Sequence, residues 1–238
     1  MQVLVMFSGG KDSFLTACKV VEQGNRVSLL SFNSGCLMCE ENMLVTAERL
    51  KNKYKHKVEV VGIRTCVSNN LRISRPWKEL TSRELCKKYP DVTGVQAQCF
   101  FCQMSMWIEA VGYSVAHGIK RIACGYKHTD KFCTGSKLFL DFLASMCEKY
   151  GIEVSTVMWD FVEEIEGFEL DQEFIRRRLL PRVFEPKCSL GLPAKERITD
   201  SEMTQLLYYF KNNIDYDKLI EKSSRILKVI PVTDKSME

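Results

Sequence analysis

The chain has no apolar run long enough to span a bilayer, which argues against a transmembrane helix. Its first apolar run, Val3 to Phe7, passes at once into a Gly-rich loop, so no secretory leader core is read there either. A cytoplasmic protein is expected, without a membrane partner. No internal repeat and no low-complexity tract appears, which disfavours a solenoid or an extended disordered region. Charge of one sign is also scarce. The 34 Lys and Arg against 30 Asp and Glu leave a net charge of +4, which permits a nucleic-acid partner without demanding one. Cysteine, by contrast, is plentiful. Eleven is an odd count, and in a reducing compartment it argues for metal, cluster or sulfur chemistry over a disulfide framework. The 238 residues suffice for one large α/β domain with a small appendage.

Hydrophobic periodicity places buried strands at Val3–Phe7, Arg26–Asn33, Val58–Ile63, Arg121–Cys124 and Glu153–Trp159. Helices are read over Ser13–Glu22, about Glu40–Tyr54, from the Cys99–Cys102 region to His117, and over Lys137–Tyr150. A short helical run is read over about Glu79–Lys88. Alternation of this kind predicts a five-stranded parallel sheet flanked by helices, a Rossmann-like α/β fold. Strands give way to helices after Phe161, at Asp171–Leu180, Thr199–Lys211 and Tyr216–Ile226, with Thr199 and Glu202 forming a capping box. Val232 to Glu238 reads as a frayed tail. The domain reading is 1–162 for the α/β body and 163–238 for a helical extension.

The first strand and helix are joined by Ser8-Gly9-Gly10-Lys11-Asp12-Ser13. Two adjacent glycines let the backbone reach φ > 0 and approach a ligand, so successive N–H groups can line an anion cradle at the positive end of a helix. Phosphate is the guest such a cradle suits. The common P-loop pattern fails here, because Val5 stands where its first glycine belongs and Asp12 follows Lys11.

The hexapeptide resembles the SGGxDS signature of the PP-loop ATP pyrophosphatases. That resemblance implies an adenine nucleotide alpha hydrolase-like fold, with Ser8, Gly9, Gly10, Lys11 and Ser13 on the pyrophosphate of ATP and Asp12 holding Mg²⁺. It also implies that Ser31, Phe32 and Asn33 lie near the adenine, read mainly through their backbone; Arg72 and Arg75 fall in a stretch that reads first as a solvated connecting segment, with phosphate contacts as the alternative that the resemblance offers. Gln98-Cys99-Phe100-Phe101-Cys102-Gln103, then a helix, a strand and Gly125-Tyr126-Lys127-His128-Thr129-Asp130, is similar to the sulfur-inserting branch of the family. By that likeness Gly125 and Asp130 belong to the nucleotide site, while Tyr126 stands where the branch commonly shows His.

Cys188 adds one distant thiol to the CxxC pair, giving three soft ligands that suit iron or sulfur chemistry. The spacing resembles that of tRNA thiolases in which three cysteines hold a [4Fe-4S] cluster with one iron open, so Cys99, Cys102 and Cys188 are its expected ligands. Three readings stay open: the cluster, a persulfide chemistry on Cys102 and Cys188, or else zinc or inert thiols. A predicted position at a helix N-terminus would also lower the pKa of Cys99 and Cys102. Cys36 and Cys39 could pair with the second CxxC as a zinc site, relay sulfur, or pack near the nucleotide. Cys18, Cys66, Cys86, Cys124, Cys133 and Cys147 read as small buried hydrophobes. Arg176, Arg177, Arg178, Arg182 and Lys187 are either a solvated face or a phosphate-steering patch.

The resulting expectation is a sulfurtransferase. It adenylates a carbonyl oxygen of a nucleobase, in tRNA or a small molecule, and replaces it with sulfur from sulfide or a persulfide carrier; Lys11 and Asp12 stabilise the phosphates, and Cys102 and Cys188 handle the sulfur. A homodimer is compatible with this reading. Two alternatives are an amide- or nitrile-forming ligase similar to 7-cyano-7-deazaguanine synthase, and a non-catalytic nucleotide-binding module.

Overall fold

Apolar residues follow one another without interruption from Val3 to Phe7 because both faces of this strand are covered. Val3, Val5 and Phe7 pack with Phe14, Leu15 and Val21 of one helix and Ala47 and Leu50 of the next. Leu4 and Met6 point the other way, into a larger cluster with Phe100, Trp107, Phe139 and Phe210. The protein, a computed structural model, is described for residues 1–33, 40–66, 89–160, 197–226 and 229.

Chain order runs β1 (Gln2–Met6), α1 (Lys11–Glu22), β2 (Arg26–Asn33), α2 (Glu40–Tyr54), β3 (Val58–Thr65), α3 (Gly94–His117), β4 (Arg121–Ala123), α4 (Lys137–Glu148), β5 (Glu153–Ser155), α5 (Asp200–Asn213) and α6 (Tyr216–Ser224). The strands form a five-stranded sheet in the order β3-β2-β1-β4-β5, parallel throughout, as expected. Strand order reverses between β1 and β4, so a crevice opens at their carboxyl ends, where ligands of open α/β sheets collect. Helices α1 and α2 cover one face; α3 and α4 cover the other, and α5 and α6 pack onto that second layer through Met203, Leu206, Phe210 and Ile220. No described helix is long and apolar enough to cross a membrane.

Most expected elements appear within a residue or two, with two instructive differences. Helix α3 starts at Gly94, where the Thr93 side chain accepts from the Gln96 amide as N-cap, so Cys99 and Cys102 lie in its second and third turns and not at its N-terminus. Strand β5 ends at Ser155, because Thr156 opens a turn closed by the Trp159 amide on the Thr156 carbonyl. Gly118 terminates α3 in the left-handed conformation at φ 66°, and the Thr199–Glu202 capping box is formed in both directions. Cys18, Cys66, Cys124, Cys133 and Cys147 are all buried, as read from their apolar settings. The Glu79–Lys88 and Asp171–Leu180 helices, Arg72, Arg75, Cys36, Cys39, Cys86, Cys188, the basic cluster, the 162/163 boundary and the C-terminal tail lie outside the described residues.

Candidate functional site

The loop after β1 is held by its own hydroxyls. Ser13 Oγ donates to the Gly10 carbonyl at 3.0 Å, so its single hydrogen is committed, and Ser8 Oγ is the donor of the 3.1 Å contact between the two serines. The Gly10 amide in turn donates to Ser8 Oγ at 3.3 Å. Gly9 adopts φ +81°, and a Cβ there would stand 2.8 Å from the Met43 Cα in α2; both facts require glycine. Gly10 forms the N-cap of α1 without a side-chain cap, which leaves the positive end of the helix available to an anion in front of it.

A cavity of about 250 Å³ lies at the carboxyl ends of β1, β2 and β4, bordered by Ser8, Asp12, Ser13, Phe32, Gly125 and Asp130. These six expected site residues are therefore brought to one place. Gly9, Gly10 and Lys11 shape the loop beside it. Ser31 has a different role: its hydroxyl donates to the Phe7 carbonyl at 2.6 Å and ties β2 to the root of the loop. Asn33 ends β2 and does not line the cavity. Gly125 is required by close approach, since a Cβ there would sit 2.9 Å from the Asp12 carbonyl carbon and 3.0 Å from the Ser13 nitrogen.

Asp12 is half prepared for a cation. Its Oδ2 pairs with Lys127 Nζ at 3.0 Å, whereas Oδ1 is buried and has no hydrogen-bond partner. An orphaned carboxylate oxygen in a cavity fits a hard ion such as Mg²⁺. The Lys127 amide donates to Asp130 Oδ2 at 3.4 Å. Burial raises the Asp130 pKa, opposed by its hydrogen bond with Thr134 and the Lys127 charge and aided by the Asp12 charge. Cys124, also in the wall, is a buried thiol whose pKa burial pushes far above the ordinary value, so it is neutral at pH 7 and a poor nucleophile. Cys147 behind it is pushed up to about 12.

The two described cysteines of the expected cluster do not line the cavity. Cys99 and Cys102 are half-buried one helical turn before Gln103 and Met106, which do. Cys99 packs against the core that includes Tyr126. Among the described residues no group of three His, Cys, Asp or Glu side chains could hold a metal. Trp159 and Arg197 meet at one place: His128 Nδ1 lies 2.6 Å from the Trp159 carbonyl, and the Arg197 guanidinium donates to the carbonyls of His128 and Gly135. That place is the loop carrying Asp130 and Thr134.

Sequence reasoning missed Gln103, Met106, Lys127 and Thr134. Gln103 carries a faint signal, a polar side chain among Phe100, Phe101, Met104 and Trp107 on a largely apolar helix.

No protein-family model and no curated protein matches the sequence. Solved structures do match in fold. The chain is similar to a 4-thiouridine synthetase solved in complex with RNA and with bound ATP, with a TM-score of 0.61, 16% identity, and coverage of 94% of this chain and 53% of that one. This chain thus spans about half of that protein. A predicted subunit of a tRNA methyltransferase from Methanocaldococcus jannaschii matches 79% of this chain and 98% of its own, at 17% identity and a TM-score of 0.48. The fold anticipated from Ser8–Ser13 is the fold found.

Proposed function

We propose that this chain is an ATP pyrophosphatase of the PP-loop type that adenylates a carbonyl oxygen of a nucleobase, in tRNA or a free nucleotide, and exchanges that oxygen for sulfur. The observation carrying this reading is the stapled Ser8–Ser13 loop at the strand-order switch, in one cavity with Phe32, Gly125 and Asp130. Its fold likeness to a 4-thiouridine synthetase holding RNA and ATP supports it.

The loop from Ser8 to Ser13 cradles the β- and γ-phosphates at the positive end of α1, with Ser8, Gly10 and Ser13 exchanging their internal hydrogen bonds for phosphate oxygens and Lys11 adding positive charge. Phe32 offers an apolar wall for adenine. Mg²⁺ at Asp12 would neutralise charge on the phosphates. The substrate carbonyl oxygen attacks the α-phosphorus, the bond to the pyrophosphate oxygen breaks, and pyrophosphate leaves. Carbon is now bonded to a good leaving group. The terminal sulfur of a persulfide on Cys188 adds to that carbon, and AMP departs with the original oxygen. Cys102 thiolate then attacks the Cys188 sulfur and releases the thiocarbonyl; the resulting disulfide is reset by a thiol reductant. A [4Fe-4S] cluster on Cys99, Cys102 and Cys188 would, when bound, supply an iron site for sulfur.

The test is pyrophosphate release from ATP with unfractionated tRNA, alongside thionucleoside analysis of the product. Asp12→Ala should abolish release, and Cys188→Ala should retain ATP binding but yield no thionucleoside. ATP binding without pyrophosphate release by the unaltered protein would reject the reading.

A further inference from the structure

One polar side chain in the cavity is aimed by groups that take no part in the reaction above. Trp107 is fully buried, and its indole N–H, which can only donate, is bonded to the Tyr126 hydroxyl at 2.8 Å. That hydroxyl therefore needs an acceptor for its own proton, and its other partner is Gln103 Oε1 at 2.5 Å. Burial holds the Tyr126 pKa well above the ordinary value, so the phenol keeps its proton across the working range of pH. The orientation of the Gln103 amide follows. With its oxygen taken by Tyr126, the Nε2 group is the end of the amide left to donate in the cavity that Gln103 lines; reversing the amide would strand a buried phenol proton. The helix makes this possible, because Gln103 and Trp107 are one turn apart on α3 and meet the same tyrosine.

The geometry points to Gln103 Nε2 as a fixed hydrogen-bond donor that recognises an acceptor atom on the edge of a nucleobase, with Tyr126 and Trp107 as its positioning residues. The chemistry of the walls favours that class. Met6, Phe32 and Met106 offer apolar surface for a flat heterocycle, and the carboxylates of Asp12 and Asp130 in the same cavity disfavour a further anion. A neutral ring nitrogen or carbonyl oxygen is what one uncharged donor suits. The inference rests on the nucleotide reading of the cavity, and two bases could supply the acceptor: the adenine of ATP or the base to be modified.

Nitrogen–proton NMR of the side-chain amides separates the cases, with the Gln103 signals assigned by their loss in Gln103→Glu. Mg²⁺–ATP is added to saturation first, then cytidine or uridine. Movement of the Gln103 amide with ATP assigns it to adenine; movement only with the nucleoside assigns it to the second base. If the Gly9 and Gly10 amides move with ATP but the Gln103 amide answers neither ligand, the inference is overturned while the nucleotide reading stands. If none of these signals moves, both fall. Gln103→Met keeps the length and packing of the side chain and should weaken the responding ligand about tenfold, with Tyr126→Phe also weakening it and broadening the Gln103 amide signals. Unchanged affinity in Gln103→Met would also overturn the inference.

Discussion

Asp130 is the residue at which stability and function pull apart. Its carboxyl is half-buried beside Asp12, and the loss of solvent is the largest cause of its raised pKa. The folded chain therefore holds a proton on Asp130 at pH values where the unfolded chain has lost it. Stability from this group is fully present below its ordinary value of 3.8 and is lost as pH rises through the raised one. Asp130→Asn removes that loss. The variant should be no more stable than the parent at pH 3 and increasingly more stable as pH rises, reaching a plateau, while nucleotide affinity falls. Urea midpoints across pH read this directly, and a stability difference independent of pH would refute it. A residue facing ligand is here held against its solvation preference, which is common at functional sites.

At the scale of elements, α3 does most to shape the second wall of the cavity. Its N-cap at Thr93 moves the Cys99–Cys102 pair into the helix, and the dipole argument for a lowered thiol pKa loses its basis, since the effect fades beyond the first turn. Further along, Gly112 faces α6. A Cβ there would come within 2.7 Å of the Ser223 Cβ and 3.0 Å of the Ser224 nitrogen. Gly112→Ala gains up to about 1 kcal/mol of helix propensity and loses about 1–3 kcal/mol by overpacking. A net loss is expected, seen as a lower urea midpoint; a stabilised variant would show that α6 docks elsewhere. These cases mark what was legible beforehand. The α2 helix and the α5 capping box were readable because periodicity and cap chemistry are local. Gln103 was not, because its role depends on Tyr126 and Trp107 meeting it through the fold.

For the whole molecule, the sheet and its second helical layer are joined by a buried polar knot. Arg64 on β3 and Glu109 on α3 are 1% and 0% exposed and pair at 2.8 Å, Ser223 of α6 donates to the same carboxylate oxygen at 2.7 Å, and Arg64 Nη2 donates to both the hydroxyl and the carbonyl of Ser223. Arg64 Nη1 is buried with no hydrogen-bond partner, so the knot is not fully satisfied. Such a pair adds little net stability over an apolar replacement, yet losing one member leaves a charge with nowhere to go. Glu109→Gln should therefore cost about 3–5 kcal/mol, whereas Arg64→Met with Glu109→Leu should cost much less than the two single changes summed. Denaturant unfolding of Glu109→Gln, of the two single apolar variants and of their double decides the matter, and strict additivity of the apolar pair would mean that the two charges do not sense each other. The effect reaches the cavity as well, because Arg64 is paired in register with Phe32 on β2 and Glu109 lies on the helix that carries Gln103. Glu109→Gln should weaken ATP binding although neither it nor Arg64 lines the site, and the apolar double variant should restore much of that affinity by holding the same two elements together.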